Sequence, residues 1–102
     1  MSRKIRIFST SQEWEKNGVK IYDYNGKKNI CGSRIKQRRL ALGLTQEDLA
    51  AQLQVENVLL ARDCISRIEI GTRFVADYEL KLLAEKLDVS VNWLLNIEDA
   101  KE

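Results

Sequence analysis

Between Ser33 and Ile97, the apolar residues recur with helical spacing in a series of short segments. In one segment, Leu80, Leu83 and Leu87 follow the i, i+3, i+7 rule of an amphipathic helix. The chain contains no proline, so nothing interrupts such helices from within. Because a short helix is not stable alone, the segments must bury their apolar faces against one another. The pattern therefore predicts an all-α domain of five short helices.

Capping residues set the bounds of the first two predicted helices. We expect Ser33 to cap a first helix that ends at Gly43, because glycine readily adopts the left-handed conformation that follows many helices. Thr45 and Asp48 have the spacing of a capping box, with aspartate in place of the usual glutamate or glutamine. This box predicts a second helix from Gln46 to about Glu56.

Three further helices are predicted in the second half of the chain. The third runs from about Arg62 to Ile70 and stops at Gly71. We expect Asp77 to cap the fourth helix and Ser90 to cap a short fifth helix that includes Ile97.

Residues 1–30 have a different pattern. Two segments, 4–8 and 19–24, carry β-branched and aromatic residues with partial alternation, and Asn17–Gly18 and Asn25–Gly26 are turn signals. The pattern fits either a small β-hairpin, which would need a partner surface to be stable, or a flexible arm. The predicted organisation has three parts: an N-terminal arm of residues 1–30, a helical domain of residues 31–98 and a tail of residues 99–102.

The composition argues against catalysis and against metal binding. The chain has no histidine, which is the commonest general base and a common zinc ligand, and only two cysteines, Cys31 and Cys64. No Gly-rich phosphate loop or nucleophile motif is present. We therefore predict no enzymatic activity, no metal site and no cofactor.

No apolar run approaches the roughly 20 residues of a membrane span, and the basic start of the chain lacks the apolar stretch of a signal peptide. We expect a cytoplasmic protein without a membrane partner, with free thiols in preference to the alternative of one disulfide. No ligand-binding domain is expected after the helices.

The charge is unevenly distributed along the chain, although the net charge is only +2. Residues 1–32 carry seven Lys and Arg against three Asp and Glu, whereas residues 76–102 carry three against seven. Either the basic end faces a polyanion and the acidic end faces away, or the asymmetry is ordinary surface scatter.

Two charged residues lie on the apolar stripes of their helices. Arg39 falls between Ile35 and Leu42 on the inward face of the first helix, and Glu69 follows Ile65 by four residues on the third. Because an unpaired buried charge is costly, the two side chains are predicted to meet in a buried salt bridge. The alternative is that each reaches solvent separately.

The opposite face of the third helix carries polar side chains of short or forked shape, namely Arg62, Asp63, Ser66 and Arg67. Arginine can donate two hydrogen bonds to guanine, aspartate can accept one from cytosine, and serine can contact a base or a phosphate. This composition suits the edges of base pairs. The alternative is that Asp63 only stabilises the positive end of the helix and pairs with Arg67.

Four blocks in a fixed order are similar to one family. Residues 32–39, 43–50, 65–73 and 87–95 read GSRIKQRR, GLTQEDLA, ISRIEIGTR and LDVSVNWLL. From about Cys31 to Leu95, the chain resembles the Cro/phage-repressor (Xre-like) helix-turn-helix family of transcriptional regulators. The resemblance implies a five-helix, lambda-repressor-like DNA-binding domain whose third helix enters the major groove.

The resemblance also implies roles for individual residues. The base-contacting positions of the family correspond to Arg62, Asp63, Cys64, Ser66 and Arg67. The phosphate-contacting positions correspond to Thr45, Gln46, Thr72 and Arg73, and the N–H groups at the start of a helix suit such a contact. The family pairs an arginine of the first helix with a glutamate of the third, which implies the same for Arg39 and Glu69.

The sequence departs from the family pattern in two places. Gln46 and Ile65 are further apart than is usual, and the extra residues lie within Val55–Leu60. Ala61 occupies the position of the usual serine cap of the recognition helix, which predicts a less rigid start. Cys64 stands where threonine is frequent, either as a small residue tolerated near DNA or as a redox-sensing thiol.

The leading interpretation is an operator-binding repressor that acts as a homodimer, because one small module offers few base contacts. Leu82, Leu95 and Ile97 lie near the edges of the apolar stripes and are candidates for the subunit contact. The alternative is an antitoxin-like or adaptor module that uses the same fold to bind a protein.

Overall fold

The computed structural model describes residues 24–97, and five helices account for most of this range. They are α1 (Gly32–Ala41), α2 (Gln46–Val55), α3 (Arg62–Ile70), α4 (Asp77–Leu87) and α5 (Val91–Leu94). Within residues 24–97 the extended structure is limited to one bridge between Tyr24 and Lys27. The prediction of an all-α, five-helix domain is therefore confirmed.

Each of the five helices is followed within two residues by a residue in the left-handed conformation, and three of these residues lie after α1, α2 and α3. The φ angle is +73° at Gly43, +67° at Asn57 and +99° at Gly71. After α3, the N–H of Thr72 reaches back to the carbonyl oxygen of Arg67 at 2.9 Å, which satisfies a group that the helix itself leaves without a partner. The ends predicted at Gly43 and Gly71 are confirmed.

The predicted caps of α2 and α5 are present. The Thr45 hydroxyl accepts a hydrogen bond from the N–H of Asp48, and the Asp48 carboxylate accepts one from the N–H of Thr45, both at 2.9 Å. The Ser90 hydroxyl accepts a bond from the N–H of Trp93 at 3.0 Å. α5 ends at Leu94, so the prediction that it includes Ile97 is wrong.

The predicted caps of α1 and α4 are wrong by one residue or more. α1 begins at Gly32, before Ser33, because the side-chain oxygen of Asn29 accepts a hydrogen bond from the Gly32 N–H at 2.8 Å. Asp77 is the first residue of α4 itself, and the Glu79 carboxylate accepts a bond from the N–H of the preceding Ala76. In both cases a side chain three residues away performs the capping.

The core lies between the helices and is formed by buried side chains from all five of them, including Ile35, Leu49, Leu53, Ile65, Ile68, Leu83, Leu87 and Leu94. α3 packs on α1 and α2, while α4 packs on α1, α2 and α5. Leu42 is 40% exposed, so its predicted place on the inward stripe of α1 is wrong. The reason is that α1 ends at Ala41, beyond which helical spacing no longer applies.

The chain folds back onto the bundle before α1. Asn25 and Gly26 form a two-residue turn with φ of +51° and +80°, closed by two backbone hydrogen bonds between Tyr24 and Lys27. Positive φ at both positions is typical of the turns that join hairpin strands. The rest of the predicted arm, including Asn17–Gly18, and the predicted tail lie outside the described residues.

Candidate nucleic-acid interface

The outer face of α3 is open to solvent. The side chains of Arg62 and Asp63 are 52% and 79% exposed, and Arg67 is also exposed. Ser66 and Cys64 are half-buried, and Cys64 lies against Arg73 at the edge of this face. The structure therefore brings the predicted base-contacting residues together at the surface.

The inner face of α3 is held by a buried ion pair. The guanidinium of Arg39 donates two hydrogen bonds to the carboxylate of Glu69, at 2.7 and 3.1 Å, and both side chains are at least nine-tenths buried. These bonds raise the pKa of Arg39. Arg39 also donates to the carbonyl oxygen of Leu44 at 2.8 Å. One side chain thus links α1, the turn before α2, and α3.

Gln46 joins the first turn of α2 to α3. Its amide nitrogen donates to Glu69 at 3.0 Å, and its amide oxygen accepts a bond from Arg62 at 3.4 Å. The helical pattern could not predict this bridge, because the residues belong to different helices. It places a predicted phosphate contact directly beside a predicted base contact.

The guanidinium of Arg62 has two acidic neighbours on the same surface. It lies 3.5 Å from the Glu47 carboxylate and 3.7 Å from that of Asp63. All three side chains are more than half exposed, and ion pairs of this kind contribute little to stability. Arg62 is therefore able to exchange these partners for another acceptor at small cost.

Arg73, a predicted phosphate contact, is engaged within the domain. Its guanidinium donates to both carboxylate oxygens of Glu79, at 3.0 and 3.3 Å, and to the carbonyl oxygen of Phe74 at 2.8 Å. The bonds to Glu79 raise the pKa of Arg73, and Glu79 itself is 6% exposed. The pair fastens the loop after α3 to α4. Thr72, the neighbouring predicted contact, is exposed.

Sequence reasoning missed the residues that hold the C-terminal end of α3. The N–H of Lys28 donates to the carbonyl oxygen of Gly71 at 2.8 Å. The amide nitrogen of Asn29 donates to the carbonyl oxygens of Ile68 and Arg73, at 3.0 and 2.8 Å. The available signals were the Asn25–Gly26 turn and an asparagine three residues before a helix start. We call residues 24–30 the N-terminal strap.

The two cysteines are free thiols in different surroundings. Cys31 is buried at the start of α1, and desolvation raises its pKa to about 11, so it is protonated at neutral pH. Cys64 is half-buried on α3.

Among residues 24–97, no group of three or more His, Cys, Asp or Glu side chains is placed to hold a metal. The same range has no helix that is long and apolar enough to span a bilayer.

An exposed polar helix that is supported from behind by a capped preceding helix defines a helix-turn-helix DNA-binding domain. The chain belongs to the helix-turn-helix family, whose model matches residues 35–94, more than half of the sequence. The Xre-like resemblance seen in the sequence is thereby confirmed, and with it the assignment to DNA-binding transcriptional regulators. Comparisons with curated proteins and with solved structures gave no match.

Proposed function

We propose that this protein is a sequence-specific transcriptional repressor that binds its operator as a homodimer, with α3 in the major groove. The observation that carries the proposal is the exposure of the outer face of α3, while its inner face is fixed by the buried Arg39–Glu69 pair. An exposed polar helix whose inner face is held by a buried ion pair meets the main geometric requirement for reading base edges.

The proposed base contacts are Arg62, Asp63, Cys64, Ser66 and Arg67, and the proposed phosphate contacts are Thr45, Gln46, Thr72 and Arg73. The contact between Gln46 and Arg62 supports this division, because it sets the first turns of α2 and α3 side by side. The start of α2 also offers N–H groups and a positive dipole end to a phosphate.

Repression is the simplest regulatory outcome of such a domain, because a bound protein blocks other proteins from the same DNA without any further contact. Dimerisation follows from the small size of one recognition surface. Leu95 is half-buried and Ile97 is 50% exposed beside α5, which supports a subunit contact there. A repressor acts where the DNA is, and we expect this to be the cytoplasm.

The proposal can be tested by selecting duplexes from a random pool and then measuring Kd for the variants Arg62→Ala and Gln46→Ala. Arg62→Ala should relax base preference at one position, by about 1–3 kcal/mol of discrimination. Gln46→Ala should weaken binding to all sequences alike. Gln54→Ala, an exposed glutamine at the other end of α2, is the control and should change neither property. Failure of the pool to yield any preferred sequence would refute sequence-specific binding.

The alternative function, an antitoxin-like or adaptor module, is favoured by one observation. Val55 and Leu59 flank the turn between α2 and α3 and are 78% and 75% exposed. Apolar side chains in this position suit a protein partner. Salt distinguishes the two functions: DNA binding through phosphates weakens with a log–log slope of about −0.9 per contact, whereas apolar docking barely responds.

A further inference from the structure

We infer that the N-terminal strap is part of the DNA interface, and that Lys27 and Lys28 contact the phosphate backbone at the C-terminal end of α3. This inference rests on the proposed function, since it requires α3 to lie on DNA. It adds a binding element that lies before the first residue of the family match.

The strap is fixed against the end of the recognition helix by several hydrogen bonds. The Lys28 N–H bonds to Gly71, and the ammonium group of Lys27 donates to the carbonyl oxygen of Ile70 at 3.3 Å. The Lys27 side chain also packs over Gly71, where a Cβ would overlap it. Because Ile70 is 59% exposed on the outer side of α3, the Lys27 ammonium lies at the edge of the proposed DNA-facing surface.

The loop after α3 has one cation, the proposed phosphate contact Arg73, and Glu79 offsets its charge. A phosphate beside this loop would therefore meet little net positive charge from residues 71–76 alone. The strap brings two lysines to the same place, and the Lys28 ammonium lies 5.3 Å from the centre of the Phe74 ring.

The sequence from the strap to the start of α2 is basic. From Tyr24 to Gln46 the chain contains six Lys and Arg and no Asp or Glu. Three of the six are used elsewhere in the described structure: Arg39 pairs with Glu69, and Arg34 and Arg38 donate to the carbonyl oxygens of Trp93 and Leu87. Within residues 24–97 the ammonium groups of the strap lysines have weak partners, a carbonyl oxygen and a ring, and long lysine side chains exchange such partners readily.

The test is the salt dependence of duplex binding by the double variant K27Q/K28Q. The slope of log K against log salt should become shallower by about 1.8, because each lost phosphate contact removes about 0.9. Affinity for the selected duplex and for a scrambled duplex should fall by the same factor, since phosphate contacts carry no sequence information. Glutamine keeps a hydrogen-bond donor at each position, and thermal unfolding checks that the fold is retained.

Two further variants isolate the effect. Lys81→Gln makes the charge change of one of these two substitutions at an exposed position on α4 and should leave the slope unaltered. K27R/K28R keeps both charges and should retain the wild-type slope. The inference is overturned if K27Q/K28Q matches Lys81→Gln, or if the arginine variant loses the slope as well. In either case wild-type preference for the selected duplex over the scrambled one would still support the proposed function, which fails if the wild type prefers no duplex.

Discussion

Both carboxylate oxygens of Glu69 accept hydrogen bonds that hold α3 in place. One oxygen accepts from the Nε atom of Arg39, and the other accepts from Arg39 and from the amide of Gln46. The side chain of Glu69 is only 3% exposed, so without these donors its charge would be buried and unpaired, which is costly. The same bonds that satisfy it therefore fix α3 relative to α1 and α2.

Arg39→Ala should lower the free energy of unfolding by about 3–5 kcal/mol, because it leaves the Glu69 carboxylate buried without its cationic partner. Urea denaturation followed by circular dichroism measures the loss. Lys36→Ala, on the exposed side of the same helix, is the control and should change stability by less than about 0.5 kcal/mol.

The apolar double variant R39M/E69L should recover much of the stability lost in Arg39→Ala, since it buries no charge. It should not recover DNA affinity to the same extent, because Gln46 loses its acceptor on α3. A loss in Arg39→Ala no larger than that of Lys36→Ala would contradict the account of Glu69.

The sequence predicted the meeting of Arg39 and Glu69 because each occupies an apolar position within a helix of regular period. It did not predict that Arg73 pairs with Glu79. Arg73 lies in a loop, and no periodic pattern indicates in which direction a loop side chain points. An ion pair can therefore be predicted from the sequence when both residues occupy apolar positions of their helices. It cannot be predicted in this way when one residue lies in a loop between helices.

The start of α2 depends on a reciprocal cap whose strength varies with pH. The hydrogen bonds from the Thr45 N–H, and secondarily the Thr45 side chain, hold the pKa of Asp48 below its ordinary value of 3.8. A lowered pKa in the folded state means that the Asp48 carboxylate contributes stability above its unfolded pKa. This contribution is lost as the pH falls through the folded pKa.

Asp48→Asn should therefore lower the Tm near neutral pH and lose this effect in the acid range, where wild-type Asp48 is itself protonated. Thr45→Ala should cost about 1 kcal/mol near neutral pH and should keep a deficit in the acid range, because the bond from the Asp48 N–H to the Thr45 hydroxyl does not titrate. Thermal unfolding at neutral pH and below pH 3.8 measures both differences. A constant deficit in Asp48→Asn across this range would exclude the charged cap.

The most predictable helices were those whose ends are set by residues next to the helix in the sequence. The bounds of α3 agree with the sequence because Gly71 ends it, and those of α2 agree closely because Thr45 and Asp48 begin it. The start of α1 was not predictable from local preference, because Asn29 caps it while also binding the end of α3. A side chain that serves two helices at once is visible only after the helices have packed.

Basic side chains are numerous on one surface of the folded protein. The strap and the outer face of α3 carry Lys27, Lys28, Arg62 and Arg67, and the acidic Glu47 and Asp63 on this surface lie beside Arg62. The exposed acids of α4 and its C-terminal end, Asp77, Glu85 and Asp88, are carried by a helix that packs behind α1 and α2. Such a distribution orients the domain toward a polyanion during encounter and makes association sensitive to ionic strength.

The proposed homodimer makes a geometric prediction about the operator. Two copies that face the same side of a duplex contact half-sites whose centres are about one helical turn, or roughly 10 base pairs, apart. A duplex with two inverted half-sites at this spacing should bind two chains cooperatively, whereas a single half-site should bind one chain weakly. Sedimentation velocity with labelled duplex gives the stoichiometry, and titration gives the cooperativity.

Insertion of about five base pairs between the half-sites turns the second copy to the opposite side of the duplex, because this is half a helical turn. Cooperativity should then disappear while each half-site keeps its own affinity. Ile97→Lys should have the same consequence on the original duplex if the surface beside α5 joins the subunits, since it places a charge in the contact. If cooperativity survives both changes, the subunits do not meet through the surface beside α5. If the affinity for one half-site equals that for two, the protein binds DNA as a monomer.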